Sequence, residues 1–153
     1  MIALGVLAAA VAGAIGVGIL VRRNEGRVRS TQVSETAPEK ADARAQLLAA
    51  AGVVPGRPTV LHFSADWCGP CAAVRRVVSS VVAELADAPR PPLDLEIDID
   101  ADPALARELN VLSLPTTFVL DARGRERFRI SGVPKAADLR TSLGELTGSE
   151  AVE

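Results

Sequence analysis

Tyrosine is absent from these 153 residues, and there are only one tryptophan, three phenylalanines and one histidine. With so few rings, and no basic patch in which aromatics are interleaved, the chain lacks the features expected of a nucleic-acid binder. Cysteine is equally scarce. Two cysteines and the single His62 cannot complete a tetrahedral zinc site unless a carboxylate, a water or a second chain joins them. No flavin or nicotinamide glycine fingerprint occurs, so any electrons the protein handles have to come from elsewhere. A net charge of -2 and 24% charged residues describe one modest globular domain with no strong bias toward a charged partner.

What is there is concentrated in five residues, Trp67-Cys68-Gly69-Pro70-Cys71. Both cysteines sit behind the β-type run Thr59 to Ser64 and ahead of a helical stretch. With Cys68 at a helix start and Cys71 one turn on, the sulfurs can close a disulfide with little backbone rearrangement. Helix N-terminal amides and the dipole would stabilise a thiolate at Cys68, lowering its pKa from about 8.5 toward 7 or below. Cys68 is then the nucleophile and Cys71 the resolving thiol. Pro70 fits an early helical position, where its missing N–H would have been unpaired anyway. Half of a zinc site and a plain structural disulfide are the competing readings. The second would close a loop too short to remove much unfolded-chain entropy.

Periodicity along the rest of the chain alternates helix and strand. Glu39 to Ala51 reads as a helix stopped by Gly52. From Cys71 to about Leu85, Val74, Val77, Val78, Val81, Val82 and Leu85 recur at helical spacing until Pro89, Pro91 and Pro92. In the next stretch Leu93, Leu95, Ile97 and Ile99 alternate with Asp94, Glu96 and Asp98 as a strand. A short helix follows from Pro103 to Leu109. Thr116 to Leu120 and Glu126 to Ser131 flank Gly124 as a hairpin, and Ala136 to Leu146 forms a last helix. The pattern predicts an α/β fold with a mixed sheet flanked by helices.

At these residues the sequence resembles the thioredoxin family. Phe63 to Cys71 resembles that family's strand-to-helix signature, and Leu114-Pro115-Thr116-Thr117-Phe118 its cis-proline segment. Asp121 to Arg125 resembles its hairpin turn, and Ile130-Ser131-Gly132-Val133 the end of its last strand. The resemblance runs from about Val53 to Thr147. It implies a protein-disulfide oxidoreductase with no cofactor beyond the Cys68–Cys71 disulfide. It also implies a substrate groove of Trp67, Gly69, Pro70, Leu114, Pro115 and Gly132, where an extended segment pairs with backbone beside a cis Pro115. Partners would be protein disulfides and a separate reductase or membrane electron donor. Departures from the family pattern concern protons. His62 stands where typical members have a buried Asp, and Glu96 where a Lys often neighbours it. A His62–Glu96 contact would orient the imidazole as acceptor of the Cys71 proton; a partly buried histidine bonded to backbone is the competing reading. Arg76 replaces a kinking proline, and Ala72 a basic residue.

Ahead of this domain, Ile2 to Val21 gives 20 consecutive uncharged, mostly apolar residues, long enough to span a bilayer. No Lys or Arg precedes the run, unlike a cleaved signal peptide, so an uncleaved transmembrane helix is expected. Ala10, Ala14 and Gly18 add a small-residue repeat. Arg22, Arg23, Arg27 and Arg29 follow, which by the positive-inside rule places the domain in the cytoplasm. The expected organisation is an anchor over residues 1–22, a tether over 23–38 with a candidate first strand at 27–33, a thioredoxin-like domain over 39–148 and a tail over 149–153. An outward-facing relay or cytochrome-maturation-like protein is one alternative. A thioredoxin-fold docking module for a membrane partner is the other.

Overall fold

The structure is a computed structural model that describes residue 6 and residues 11–19, 26–31 and 38–148, with residues 38–40 described at the backbone. Five strands form one sheet in the order β1-β5-β4-β2-β3. They are β1 Val28–Ser30, β2 Thr59–Ser64, β3 Leu93–Asp98, β4 Thr116–Leu120 and β5 Glu126–Ser131. β2 and β3 run parallel, and every other neighbouring pair is antiparallel. Following a first helical stretch, α1 over residues 11–19, the helices are α2 Pro38–Ala50, α3 Cys71–Glu84, α4 Pro103–Glu108 and α5 Ala136–Thr147. The mixed sheet flanked by helices is the architecture the periodicity predicts.

Each element follows from local chemistry. Gly52, at φ 101°, ends α2 in the left-handed region where a Cβ is strained. Asp102 opens α4 by accepting the Leu105 N–H at 3.0 Å, with Pro103 in the first turn. At the β4–β5 hairpin the Asp121 carboxylate accepts the Arg123 and Arg125 amides at 2.9 and 3.0 Å.

Strand alternation divides the core into two layers. Val60, Val119 and Ile130 pack under Val74, Val78 and Val81 of α3 and Leu139 and Leu143 of α5. On the opposite face, Leu61, Phe63, Phe118 and Leu120 close against Leu48 of α2 and Leu105 and Leu109 of α4. Burying each such side chain contributes about 1.5–3 kcal/mol. These layers hold β2 rigid, and β2 leads directly into the cysteine segment.

The candidate first strand at 27–33 is shorter in the structure, Val28–Ser30, paired with β5 from Val28 opposite Ile130 to Ser30 opposite Phe128. Gly26 precedes it at φ 73°, where a Cβ would collide with the Val133 carbonyl oxygen. Its own N–H donates to the Ser131 carbonyl at 2.7 Å.

Most of the expected membrane span and tether, and the 149–153 tail, lie outside the described residues. Of the apolar run, residue 6 and α1 are described, with Val6, Val11, Ile15, Val17 and Ile19 exposed. Among the described residues no helix is long and apolar enough to cross a membrane.

Candidate active site

β2 ends at Ser64 and a tight turn carries the chain to the cysteines, with the Cys68 N–H bonded to the Ala65 carbonyl at 3.0 Å. Cys68 and Cys71 form a disulfide, with S–S 1.99 Å and Cα–Cα 5.5 Å. Helix α3 opens at Cys71, so Cys68 lies three residues ahead of it in the preceding turn and not in its first turn, where the sequence had placed it. The reason is that Ala73 and Val74 already bond back to the Pro70 carbonyl, which starts the helical ladder after Cys68. The two sulfurs differ in access. Cys71 is 1% exposed, with Sγ 3.9 Å from the Phe63 carbonyl oxygen, while Cys68 is partly exposed. Such an arrangement offers Cys68 to an external disulfide and keeps Cys71 for attack from within.

Around Cys68 the surface is open. Trp67 is 70% exposed and its indole N–H donates to Asp100 at 3.0 Å, which fixes the ring orientation. The Leu114–Pro115 peptide bond is cis, and the Gly132 N–H donates to the Pro115 carbonyl at 2.9 Å, joining these two expected groove residues. Leu112, 86% exposed, stands on the same loop two residues before Leu114. Nothing in the sequence marks it, because a leucine in a loop carries no signal until its exposure is known.

Under α3 the proton-handling residues are arranged differently from expectation. His62 is 2% exposed, and its Nε2 meets Asp94 Oδ1 at 3.1 Å, not Glu96. In register Glu96 is the β3 partner of His62, but Arg75 reaches across from α3 and holds its carboxylate by two bonds from Nε, at 2.7 and 2.8 Å. That leaves Asp94 for the ring. Burial pushes the Glu96 carboxyl up, but hydrogen bonds from Ser64 and Arg75 and the charge of Arg75 outweigh it and hold it below the usual carboxylate range. His62, Arg75, Arg76, Ser79, Asp94 and Glu96 line an open depression of about 390 Å³. Thr117, opposite His62 on β4, is fully buried and its hydroxyl has no hydrogen-bond partner.

A buried carboxylate lies at the start of β5. Glu126 accepts from Thr31 at 2.9 Å, from Arg129 at 2.9 and 3.0 Å and from Arg44 at 3.4 Å. Burial raises its pKa, yet these donors and cations together hold it below the ordinary value. Among the described residues no group of three or more His, Cys, Asp or Glu side chains is placed to hold a metal ion.

A partly exposed sulfur paired with a buried one, ahead of a helix and on a mixed sheet with a cis proline, defines a disulfide-exchange fold. The thioredoxin family model matches residues 48–145, and the chain belongs to the thioredoxin family. It is 40% identical to the thioredoxin of Mycolicibacterium smegmatis over 89 residues, 58% of this chain and 78% of that protein. It is also 35% identical over 106 residues to the thiol:disulfide interchange protein DsbD of Yersinia enterocolitica, covering 66% of this chain but 18% of that protein. Among solved structures, Fasciola hepatica thioredoxin superposes with a TM-score of 0.53 at 25% identity, over 69% of this chain and 93% of that one. The chain is a thioredoxin-family disulfide oxidoreductase.

Proposed function

We propose that the protein is a membrane-anchored reductant of protein disulfides, acting through Cys68-Gly69-Pro70-Cys71. The observation that carries this reading is the asymmetry of the two sulfurs, one open to partners and one buried beneath it. Cys68 thiolate attacks a substrate disulfide, a mixed disulfide forms, and Cys71 displaces the substrate as a thiolate, leaving the Cys68–Cys71 disulfide. Trp67, Gly69, Pro70, Leu114, Pro115 and Gly132 form the groove that receives the substrate backbone, and His62 accepts the Cys71 proton. A separate reductase or membrane donor restores the dithiol.

Anchoring is supported by the apolar run Ile2 to Val21 and by the exposed apolar side chains of α1. The arginines after it favour a cytoplasmic domain. A specific observation favours a thiol-disulfide relay as the second reading: the similarity to DsbD, named as a thiol:disulfide interchange protein.

Cys68→Ser should lower disulfide reduction by about a thousandfold or more, while Cys71→Ser should accumulate mixed disulfides with its substrates. A redox titration followed by Trp67 fluorescence should show a reversible transition near about -270 mV, the value for thioredoxins; its absence at any accessible potential would point to the docking module. Protease treatment of intact, outer-envelope-stripped cells bearing a C-terminal tag decides the compartment. Protection of the tag supports the cytoplasmic reductant, and its loss the relay.

A further inference from the structure

His62 makes its hydrogen bond through Nε2, 3.1 Å from Asp94 Oδ1. An ionised carboxylate can only accept, so this bond places the ring hydrogen on Nε2 and leaves Nδ1 of the neutral imidazole as a lone pair. We infer that Asp94 is a positioning residue that locks His62 in the Nε2–H tautomer, so that Nδ1 takes the Cys71 proton and the open depression at the β3 edge returns it to water. This rests on the reading of His62 as proton acceptor.

The groups around the ring single out Asp94 for this task. From β3 come Asp94 and Glu96, from α3 Arg75 and Arg76, and from β4 the uncharged Thr117. Arg75 already binds Glu96 through two bonds, so that carboxylate is committed elsewhere. Asp94 is the one with its oxygen on the ring, and its side chain is 31% exposed, which connects the buried imidazole to solvent. Cys71 Sγ lies against the carbonyl of Phe63, the residue that follows His62 on β2.

The step balances. Cys71 S–H gives its proton to His62 Nδ1, and the resulting thiolate attacks the Cys68 sulfur of the mixed disulfide. The Cys68–Cys71 bond forms as the bond from Cys68 to the substrate breaks, and the electron pair leaves on the substrate sulfur. Two electrons have passed from the dithiol to the substrate disulfide. The Asp94 charge stabilises the imidazolium until it loses its proton to water.

The test uses the full chain, reduced, reacted with the aromatic disulfide dithiobis(nitrobenzoate) in a stopped-flow instrument. A first release of coloured thiolate reports attack by Cys68, and a second reports attack by Cys71. The expected wild-type result is two resolved phases, with ring 15N shifts showing hydrogen on Nε2. Asp94→Ala should mix the tautomers and slow the second phase about tenfold, part of the 100- to 10,000-fold typical of acid–base catalysis, leaving the first phase intact. Asp94→Asn, whose amide oxygen also accepts but which carries no charge, should keep the Nε2–H tautomer and recover the second phase in part; this comparison holds even if Asp94→Ala loses thermal stability. Hydrogen on Nδ1 in the wild type, or a second phase in Asp94→Ala within about twofold of wild type, overturns the inference. His62→Ala separates the two levels. If it leaves the second phase and its pH profile unchanged, the acceptor reading itself falls; if it slows that phase while Asp94→Ala does not, only the role of Asp94 falls.

Discussion

Two of the buried polar clusters among the described residues are finished to different degrees. Glu126, the first residue of β5, is saturated: a hydroxyl and two arginines donate to its two oxygens, and Arg129 also lies over the Phe118 ring at 4.6 Å. His62, beneath the redox helix, has a single carboxylate partner, and next to it the Thr117 hydroxyl has none. A buried polar group left short of partners costs stability, and among the described residues the hydroxyls of Thr59 and Thr117 are the ones left so. The contrast teaches that the Glu126 cluster is joinery, tying the end of β1, α2 and β5 together, while the His62 cluster pairs one ring nitrogen with a partly exposed carboxylate and leaves the Thr117 hydroxyl unpartnered beneath the redox helix.

Breaking the saturated cluster should have the largest effect on stability. Glu126→Ala strands charges that were bonded and should cost about 2–3 kcal/mol at neutral pH by urea unfolding. Because the folded-state pKa of Glu126 lies below its unfolded value, its contribution is complete above the unfolded pKa, about 4.3. It is lost as pH falls through the folded value. Wild type and Glu126→Ala should therefore converge in stability in acid; a constant gap at all pH values would show that the ion pairs are not its source. Asp121 follows the same sign. Burial raises its pKa, but the Arg125 and Arg123 amides and the Arg125 guanidinium outweigh that and hold it below the ordinary value, so its contribution to the hairpin also fades in acid.

The unsaturated cluster should respond in the opposite direction. His62→Leu replaces a buried polar ring with an apolar side chain and should leave stability within about 1 kcal/mol of wild type, while the second phase of thiol exchange slows. A loss comparable to that of Glu126→Ala would mean that His62 is structural after all. The smallest change is Thr117→Val, which keeps the shape and removes an unpartnered hydroxyl. It should raise stability by about 1 kcal/mol, read as a higher urea midpoint. An unchanged or lower midpoint would show that the hydroxyl is satisfied in solution.

Much of this was legible in the chain because its signals are local. The runs Thr59–Ser64, Thr116–Leu120 and Glu126–Ser131 are set off by neighbouring turn residues, and the observed strands have the same bounds. The dithiol announces itself through spacing. β1 is less visible: three residues become a strand only by pairing with β5, about 100 positions away, and nothing within Val28–Ser30 sets that limit. The partner of His62 was hidden for a similar reason. Strand register brings His62 level with Glu96, but the hydrogen bond depends on Arg75 of α3 having claimed Glu96 first. Competition between side chains from three elements leaves no trace in any one segment. The exposure of Leu112 and the solitary hydroxyl of Thr117 are equally products of assembly.

The placement of Gly26 has a mechanical consequence. Its amide is bonded to Ser131 and its Cα rests against the Val133 carbonyl, one residue on either side of Gly132, which in turn is bonded to Pro115. A tug on the chain before Gly26 is therefore delivered to the loop beside the cysteines through two hydrogen bonds, without passing through the hydrophobic layers. Gly26 and the rim of the reactive cleft are thus linked by way of Ser131, Gly132 and Pro115.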